Sequence, residues 1–157
     1  MSGRISDEDF AVVVRSAPLV SIDLVLRNAE GRVLVGLRNN EPAKGTYFVP
    51  GGVIRKSERL DDAFSRILAA ETGLGAARGD ASFLGVYEHF YPTNRLGGPG
   101  YGTHYVVLAY TLAVPERAAV RGDAQHSRFR WMSEDEILSA PDVHENTKAY
   151  FVRPMGR

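Results

Sequence analysis

Residues 52–74 read GVIRKSERLDDAFSRILAAETGL, and the pattern of this stretch decides how the rest of the chain is read. From 60 to 72 the apolar side chains Leu60, Ala63, Phe64, Ile67 and Leu68 recur at intervals of three and four, the spacing that gathers side chains on one face of a helix. Gly73 follows as the expected C-terminal stop, since glycine enters the left-handed backbone without steric cost. At about 100° per residue, Glu71 falls near the middle of the arc made by Leu60, Phe64, Ile67 and Leu68. An ionised carboxylate on a buried face needs a cation or a metal, because desolvating it unpaired is costly. The alternative is that Glu71, in the last turn, reaches solvent past the helix end.

Outward from this helix, residues 20–27 and 32–37 are rich in apolar and β-branched residues and are separated by Asn28, Ala29, Glu30 and Gly31, the pattern of a hairpin. Residues 47–49 form a third short strand closed by Pro50, Gly51 and Gly52. Residues 82–90 and 103–114 read as two long strands, and the Pro- and Gly-containing segment 92–102 between them as a mobile loop able to cover a ligand. Residues 129–132 make a last strand. Ser133 with Glu136 forms a capping box for a short helix, and a further helix is expected over residues 144–152. Strands outnumber helices, and the helices fall in the middle and at the end. The fold class expected is α/β of the α+β kind, a mixed β-sheet sandwiched between helices.

Composition narrows the function. A chain of 157 residues is of ordinary size for one domain. Its 19 basic and 19 acidic residues balance, so no surplus charge favours a nucleic-acid backbone or an anionic membrane. Without cysteine, disulfides, thiolate catalysis and sulfur-ligated zinc are excluded. Residues 1–10 carry Asp7, Glu8 and Asp9 where a leader would be basic and then apolar. The longest apolar run, residues 105–114, is far too short to cross a bilayer. A cytoplasmic protein acting on a small molecule is expected.

The 52–74 stretch resembles the Nudix box, G-x5-E-x7-R-E-U-x-E-E-x-G-U with U aliphatic: Gly52, Glu58, Arg66, Leu68, Glu71, Gly73 and Leu74 fall in register. The resemblance implies the Nudix fold over the whole chain, 1–157, and a divalent ion, magnesium or else manganese, held against a diphosphate. In such proteins Glu58 and Arg66 brace the turn against the helix. Two acidic positions of the box are here Ile67 and Ala70. The branch lacking the same carboxylates is the GDP-mannose mannosyl hydrolases, to which DEDFAVVVRSAPLVSIDLVL, GTYFVPGG, THYVVLAY, QHSRFRW and VHENTKAYF are also similar.

That resemblance implies a specific reaction and site. Magnesium would be held by Glu71, a backbone carbonyl at Gly51 or Gly52, Gln125 and the diphosphate. His126 would act as general base on water attacking the anomeric carbon, releasing GDP with inversion. Arg38, Arg66 and the metal would neutralise the leaving diphosphate, which is weakly basic and needs no general acid. Tyr105 would add a hydrogen bond to it, and Asp23 and His89 would contact the sugar or orient neighbours. A neutral imidazole suits proton abstraction near pH 7. A homodimer is implied as well, with the N-terminal segment a candidate for exchange.

Blander readings stand beside these. A Gln125–His126 pair in a polar connection is more often solvated loop than catalyst. Histidines on strands, His89 and His104, are more often half-buried packing residues, and His144 reads as a helix-start residue. Arg38 at a strand end reads as a surface charge, and Tyr87, Phe90, Tyr91 and Tyr101 serve a core as readily as a guanine platform. Val53 departs from the arginine usual in the family after the glycine pair; Arg55 would replace it only if that segment is extended. The rival functions are a Nudix enzyme attacking phosphorus and a non-catalytic nucleotide-sugar binding domain.

Overall fold

The computed structural model describes residues 4–115 and 126–152, with only the backbone at His126 and Ser127. The chain order is α1 (Asp7–Ser16), β1 (Leu19–Arg27), β2 (Val33–Arg38), β3 (Tyr47–Phe48), β4 (Gly51–Val53), α2 (Leu60–Thr72), a 3-10 turn (Arg78–Asp80), β5 (Ser82–Tyr91), β6 (Thr103–Ala113), β7 (His126–Met132), α3 (Glu134–Ser139) and α4 (Glu145–Lys148).

The strands form a mixed sheet along the path β3-β2-β1-β6-β5, with β4 added on β1 and β7 on β2. β1 runs parallel to β6 over its whole length, Leu19 opposite Tyr105 through Arg27 opposite Ala113. The expected hairpin joins β1 and β2: Asn28 accepts the amides of Glu30 and Arg32 on its side chain. Yet β1 and β2 pair only at Arg27 and Val33 and then part. The edge of β1 that β2 leaves is taken by β4, with Ser21, Ile22 and Asp23 opposite Val53, Gly52 and Gly51.

Alternation along β1 separates two cores. Ile22, Leu24 and Leu26 pack with Phe64, Ile67 and Leu68 of α2. Val25 packs on the other side with Val33, Val35, Val49, Ile137 and Phe151 beneath α3 and α4. Asp23 shares the second face but is polar, and marks where that core gives way to polar side chains.

Helix α2 covers the expected residues, and Gly73 ends it at φ 76° with its amide on the Ala69 carbonyl. Leu60, placed by the wheel on the buried face, is 37% exposed as the first residue of the helix. Ser133 and Glu136 make the expected reciprocal cap of α3. Four differences from expectation have physical causes. α1 was not foreseen; Ser6 caps it and three acidic residues occupy its first turn, where the helix dipole favours them. β4 forms where the sequence shows only the closure of β3, because Gly51–Val53 pair with β1. β7 begins at His126, not 129, because β2 continues past a bulge to set Arg38 opposite His126. α4 is short, and residues up to 151 follow as turns, with Phe151 bonding the Lys148 carbonyl.

Candidate active site

The turn before α2 is built around one carboxylate. Glu58 is contacted by Arg66 through Nε to Oε1 at 2.6 Å and Nη2 to Oε2 at 2.9 Å. Arg66 Nη2 also donates to the Val53 carbonyl, and the Arg55 amide donates to Glu58. These contacts hold the Glu58 carboxyl below its ordinary range, the Arg66 hydrogen bond contributing most. The guanidinium of Arg66 is thus engaged by the turn. Arg55 also acts electrostatically on Glu58.

Glycine is required where this turn meets β1. A Cβ on Gly51 would lie 2.3 Å from Asp23 Oδ1 and 2.6 Å from the Ile22 carbonyl, and one on Gly52 would lie 3.1 Å from Ile67 Cγ1. The Leu24 amide bonds the Pro50 carbonyl and the Ile54 amide bonds the Val20 carbonyl. By the alternation of an antiparallel ladder, Gly52 is then turned toward β1 while Gly51 and Val53 are turned away from it. The Val53 carbonyl, turned away, is the one that Arg66 takes. One helical turn beyond Ile67, on the same face, lies Glu71, 6% exposed. Ala70 is exposed and Ile67 is buried against Gly52, so Glu71 is the buried carboxylate that α2 brings here.

Around Asp23 the second face of the sheet gathers a polar and aromatic cluster. The Tyr150 hydroxyl donates to Asp23 Oδ2 at 2.5 Å and lies 3.4 Å from His89 Nε2. Burial pushes the Asp23 carboxyl up to about 6, against the lowering effects of Tyr150 and Arg38. Burial, with His144 nearby, brings His89 down to about 4. Tyr91, Tyr105 and Tyr150 are all raised, chiefly by burial, so each remains a protonated donor. Tyr91 and Tyr105 meet at 5.8 Å between ring centroids.

Arg38 completes the cluster. Its guanidinium sits over Phe48, whose ring stacks on His144 and tilts against Tyr91. Its charge acts on Asp23, Tyr91, Tyr105 and His144. Arg38 Nε is buried with no hydrogen-bond partner among the described residues. A half-buried cation with an unspent donor is suited to an anionic ligand.

The expected residues therefore fall into groups. Asp23, His89 and Tyr105 share one face of the sheet, and the Arg38 charge reaches Asp23 and Tyr105. Gly51 and Gly52 open β4, Glu71 lies in the last turn of α2, one turn beyond the Ile67 that meets Gly52, and Arg66 lies in the brace. His126 pairs Arg38 through the backbone, and Gln125 lies outside the described residues. Tyr150 was not singled out; it stands 127 residues from Asp23, beyond the reach of any local pattern. The segment 92–102, expected to be a mobile cover, is pinned from within: Asn94, 2% exposed, donates to the carbonyls of Gly98 and Tyr101.

The donor set bears on a metal. Among the described residues no three of His, Asp or Glu cluster. Oxygen from Glu71 and backbone carbonyls fits a hard divalent ion that takes its other oxygens from phosphates and water.

These features define a Nudix domain, and the chain belongs to that family: the NUDIX domain model matches residues 17–153. The low-salt glycan biosynthesis protein Agl8 of Haloferax volcanii is 41% identical over 81% of this chain and 78% of its own length. An ADP-ribose pyrophosphatase of Methanocaldococcus jannaschii is 34% identical over 45% of this chain and 40% of its own length. Among solved structures, a MutT protein from Methanosarcina mazei matches with a TM-score of 0.69 at 20% identity, covering 87% of this chain and 92% of that one. The NUDIX domain of Shewanella oneidensis NrtR, complexed with ADP ribose, matches at 0.65 and 21%, covering 93% and 95%. At such identities these two establish the fold. Among the described residues no helix is long and apolar enough to cross a membrane.

Proposed function

We propose that this Nudix hydrolase cleaves GDP-mannose or a related GDP-hexose to GDP and the free sugar, by inverting substitution at the anomeric carbon. The observation that carries the reading is the α2 face: Ile67 fills the space against Gly52, and only Glu71 is presented as a buried carboxylate. A helix furnished in this way can help hold a metal but supplies no second carboxylate to activate water at phosphorus. The similarity to a glycan biosynthesis protein also favours a sugar nucleotide.

Magnesium, held by Glu71, Gln125 and the Gly51 carbonyl, would supply charge neutralisation at the diphosphate. Gly51 is preferred to Gly52 because its carbonyl is turned away from the ladder. Arg38 offers its unspent donor to the departing diphosphate, and Tyr105, kept protonated by burial, donates beside it. Asp23, titrating near 6, is mostly ionised at pH 7 and accepts from a sugar hydroxyl while Tyr150 holds its other oxygen. His89 is neutral at that pH. His126 takes the proton from the attacking water. Arg66 acts chiefly through the brace that fixes β4 relative to α2. The working protein is proposed to be a cytoplasmic homodimer.

The similarity to an ADP-ribose pyrophosphatase favours attack at phosphorus as the second reading. Turnover of GDP-mannose with magnesium in oxygen-18 water separates the two. Labelled free mannose with unlabelled GDP is expected. Labelled GMP or mannose phosphate would replace the proposal by the second reading, and the absence of any product would remove GDP-mannose as substrate.

A further inference from the structure

Asp23 and His89 stand on β1 and β5 with β6 between them, two strand spacings or roughly 10 Å apart across the sheet. Tyr150 closes that gap from the segment after α4. Its hydroxyl donates to Asp23 Oδ2 at 2.5 Å and lies 3.4 Å from His89 Nε2. The phenol ring is held on two sides, edge-on to Tyr87 at 4.7 Å and tilted against His89 at 6.1 Å between centroids. Its neighbour Phe151 is buried in the core beneath α3 and α4, so packing places the hydroxyl.

This arrangement gives the hydrogen bonds a direction. A phenol has one hydrogen, an ionised carboxylate only accepts, and a neutral imidazole has one donor nitrogen and one acceptor nitrogen. Burial keeps the hydrogen on Tyr150, and Asp23 receives it. The phenol oxygen then meets His89 Nε2 favourably only if Nε2 carries a proton; a bare Nε2 would set lone pair against lone pair. With the proton on Nε2, His89 Nδ1 is left as an acceptor. Asp23 Oδ1, which lies against Gly51, is an acceptor as well. Neither Oδ1 nor Nδ1 receives a hydrogen bond from the described residues. The His89 ring also meets Tyr91, and Tyr91 meets the Phe48 ring over which Arg38 sits. The two acceptors therefore adjoin the cationic part of the cluster.

We propose that Tyr150 is a positioning residue of the sugar subsite. By giving its one hydrogen to Asp23 and receiving one from His89 Nε2, it makes both side chains acceptors toward the ligand, so the subsite selects a sugar that offers two hydroxyl hydrogens. The identity of the ligand rests on the nucleotide-sugar reading; the direction of the hydrogen bonds does not.

That direction is read by nitrogen-15 to proton correlation of the His89 ring at neutral pH, in ligand-free wild type, Tyr150→Phe and Tyr87→Phe. Wild type is expected to show Nε2 protonated and Nδ1 bare. Tyr150→Phe should release the preference, with both nitrogens moving toward the average of exchanging tautomers. Tyr87→Phe alters only a neighbouring ring and should match wild type. In Tyr150→Phe the KM for GDP-mannose should rise by roughly two- to tenfold, while the affinity for magnesium pyrophosphate, measured calorimetrically, should stay within about twofold of wild type. A protonated Nδ1 in wild type, or a His89 spectrum that Tyr150→Phe leaves unchanged, would overturn the proposal, as would an equal loss of pyrophosphate affinity. If the His89 result holds and wild type fails to hydrolyse GDP-mannose, the substrate reading falls and the pair of acceptors set by Tyr150 remains.

Discussion

The sharpest consequence of the glycine pair is that its two members should respond differently to the same added methyl group. In Gly51→Ala the new carbon would stand 2.3 Å from Asp23 Oδ1 and 2.6 Å from the Ile22 carbonyl. Carbon and oxygen approach without strain at about 3.3 Å. The Asp23 side chain could swing away only by giving up Tyr150. The Ile22 carbonyl is backbone and cannot swing, so β1 and β4 would have to part by roughly 0.7 Å, the shortfall against that contact distance. Overpacking of this kind costs about 1–3 kcal/mol, and exposing the Asp23–Tyr150 contact adds about 1 kcal/mol more.

For a chain of this size that is a fall in Tm of roughly 4–16 °C. In Gly52→Ala the nearest atom, at 3.1 Å, is the end of the Ile67 side chain, which can give by a few tenths of an ångström. The expected cost is below about 1 kcal/mol, or less than roughly 4 °C. Differential scanning calorimetry of both variants, with circular dichroism to confirm the fold, reads this directly. A Gly51→Ala protein that melts with wild type, or a Gly52→Ala protein that loses more than Gly51→Ala, would refute the reading of the β1–β4 approach.

Further outcomes follow from the same geometry. Arg66→Ala leaves the Glu58 carboxylate, 5% exposed, without its main partner, and should cost about 2–4 kcal/mol in urea unfolding. Because Glu58 is held below its ordinary value, its stabilisation is complete above about pH 4.3 and is lost as pH falls through the lower folded value; Arg66→Ala should flatten that acid limb. His89, depressed to about 4, favours the native state above about 6.5 and loses this contribution as pH falls toward 4. In His89→Gln the slope of stability against pH over that window should shrink. Tyr150→Phe removes a donor from buried Asp23 and should cost about 1–3 kcal/mol in thermal unfolding. His126→Gln should lower kcat on GDP-mannose by roughly two to four orders of magnitude with KM nearly unchanged; wild-type turnover would discard His126 as the base.

What the sequence makes legible follows from how far each signal reaches. α2 and its Gly73 stop are local in origin, since spacing of three and four with a left-handed cap needs no partner to be read. Glu71 was visible for the same reason, as the polar residue on an apolar arc. α1 was missed because Val12, Val13 and Val14 have poor helix propensity and outweigh the quieter cap of Ser6 with the Asp9 amide. β4 was missed because Gly51 and Gly52 carry no strand propensity; they are extended through pairing with β1, a demand made by residues thirty positions away. Tyr150 is invisible for a similar reason, since Asp23 and His89 reach it only when α4 folds back onto the sheet. The arginines show a third kind of limit. The Glu58–Arg66 brace is legible through the box, whereas the unspent donor of Arg38 depends on what packs around the end of β2.

The same alternation that builds the two cores constrains how a ligand can lie. Glu71 belongs to the α2 side of β1, with Ile22 and Leu24, whereas Asp23 points to the other side, with Val25 and Tyr150. A molecule held by both cannot rest on either face alone; under the proposed reading it must pass the edge of β1, where β4 closes against it. Only a backbone without side chains lets that edge be crossed closely, and Gly51, with no room for a Cβ, is the residue at the crossing. The metal end and the sugar end of the substrate would then be divided by one glycine. Changes on the Asp23 side should alter discrimination among sugars while leaving affinity for magnesium pyrophosphate intact, and changes at Glu71 should do the reverse.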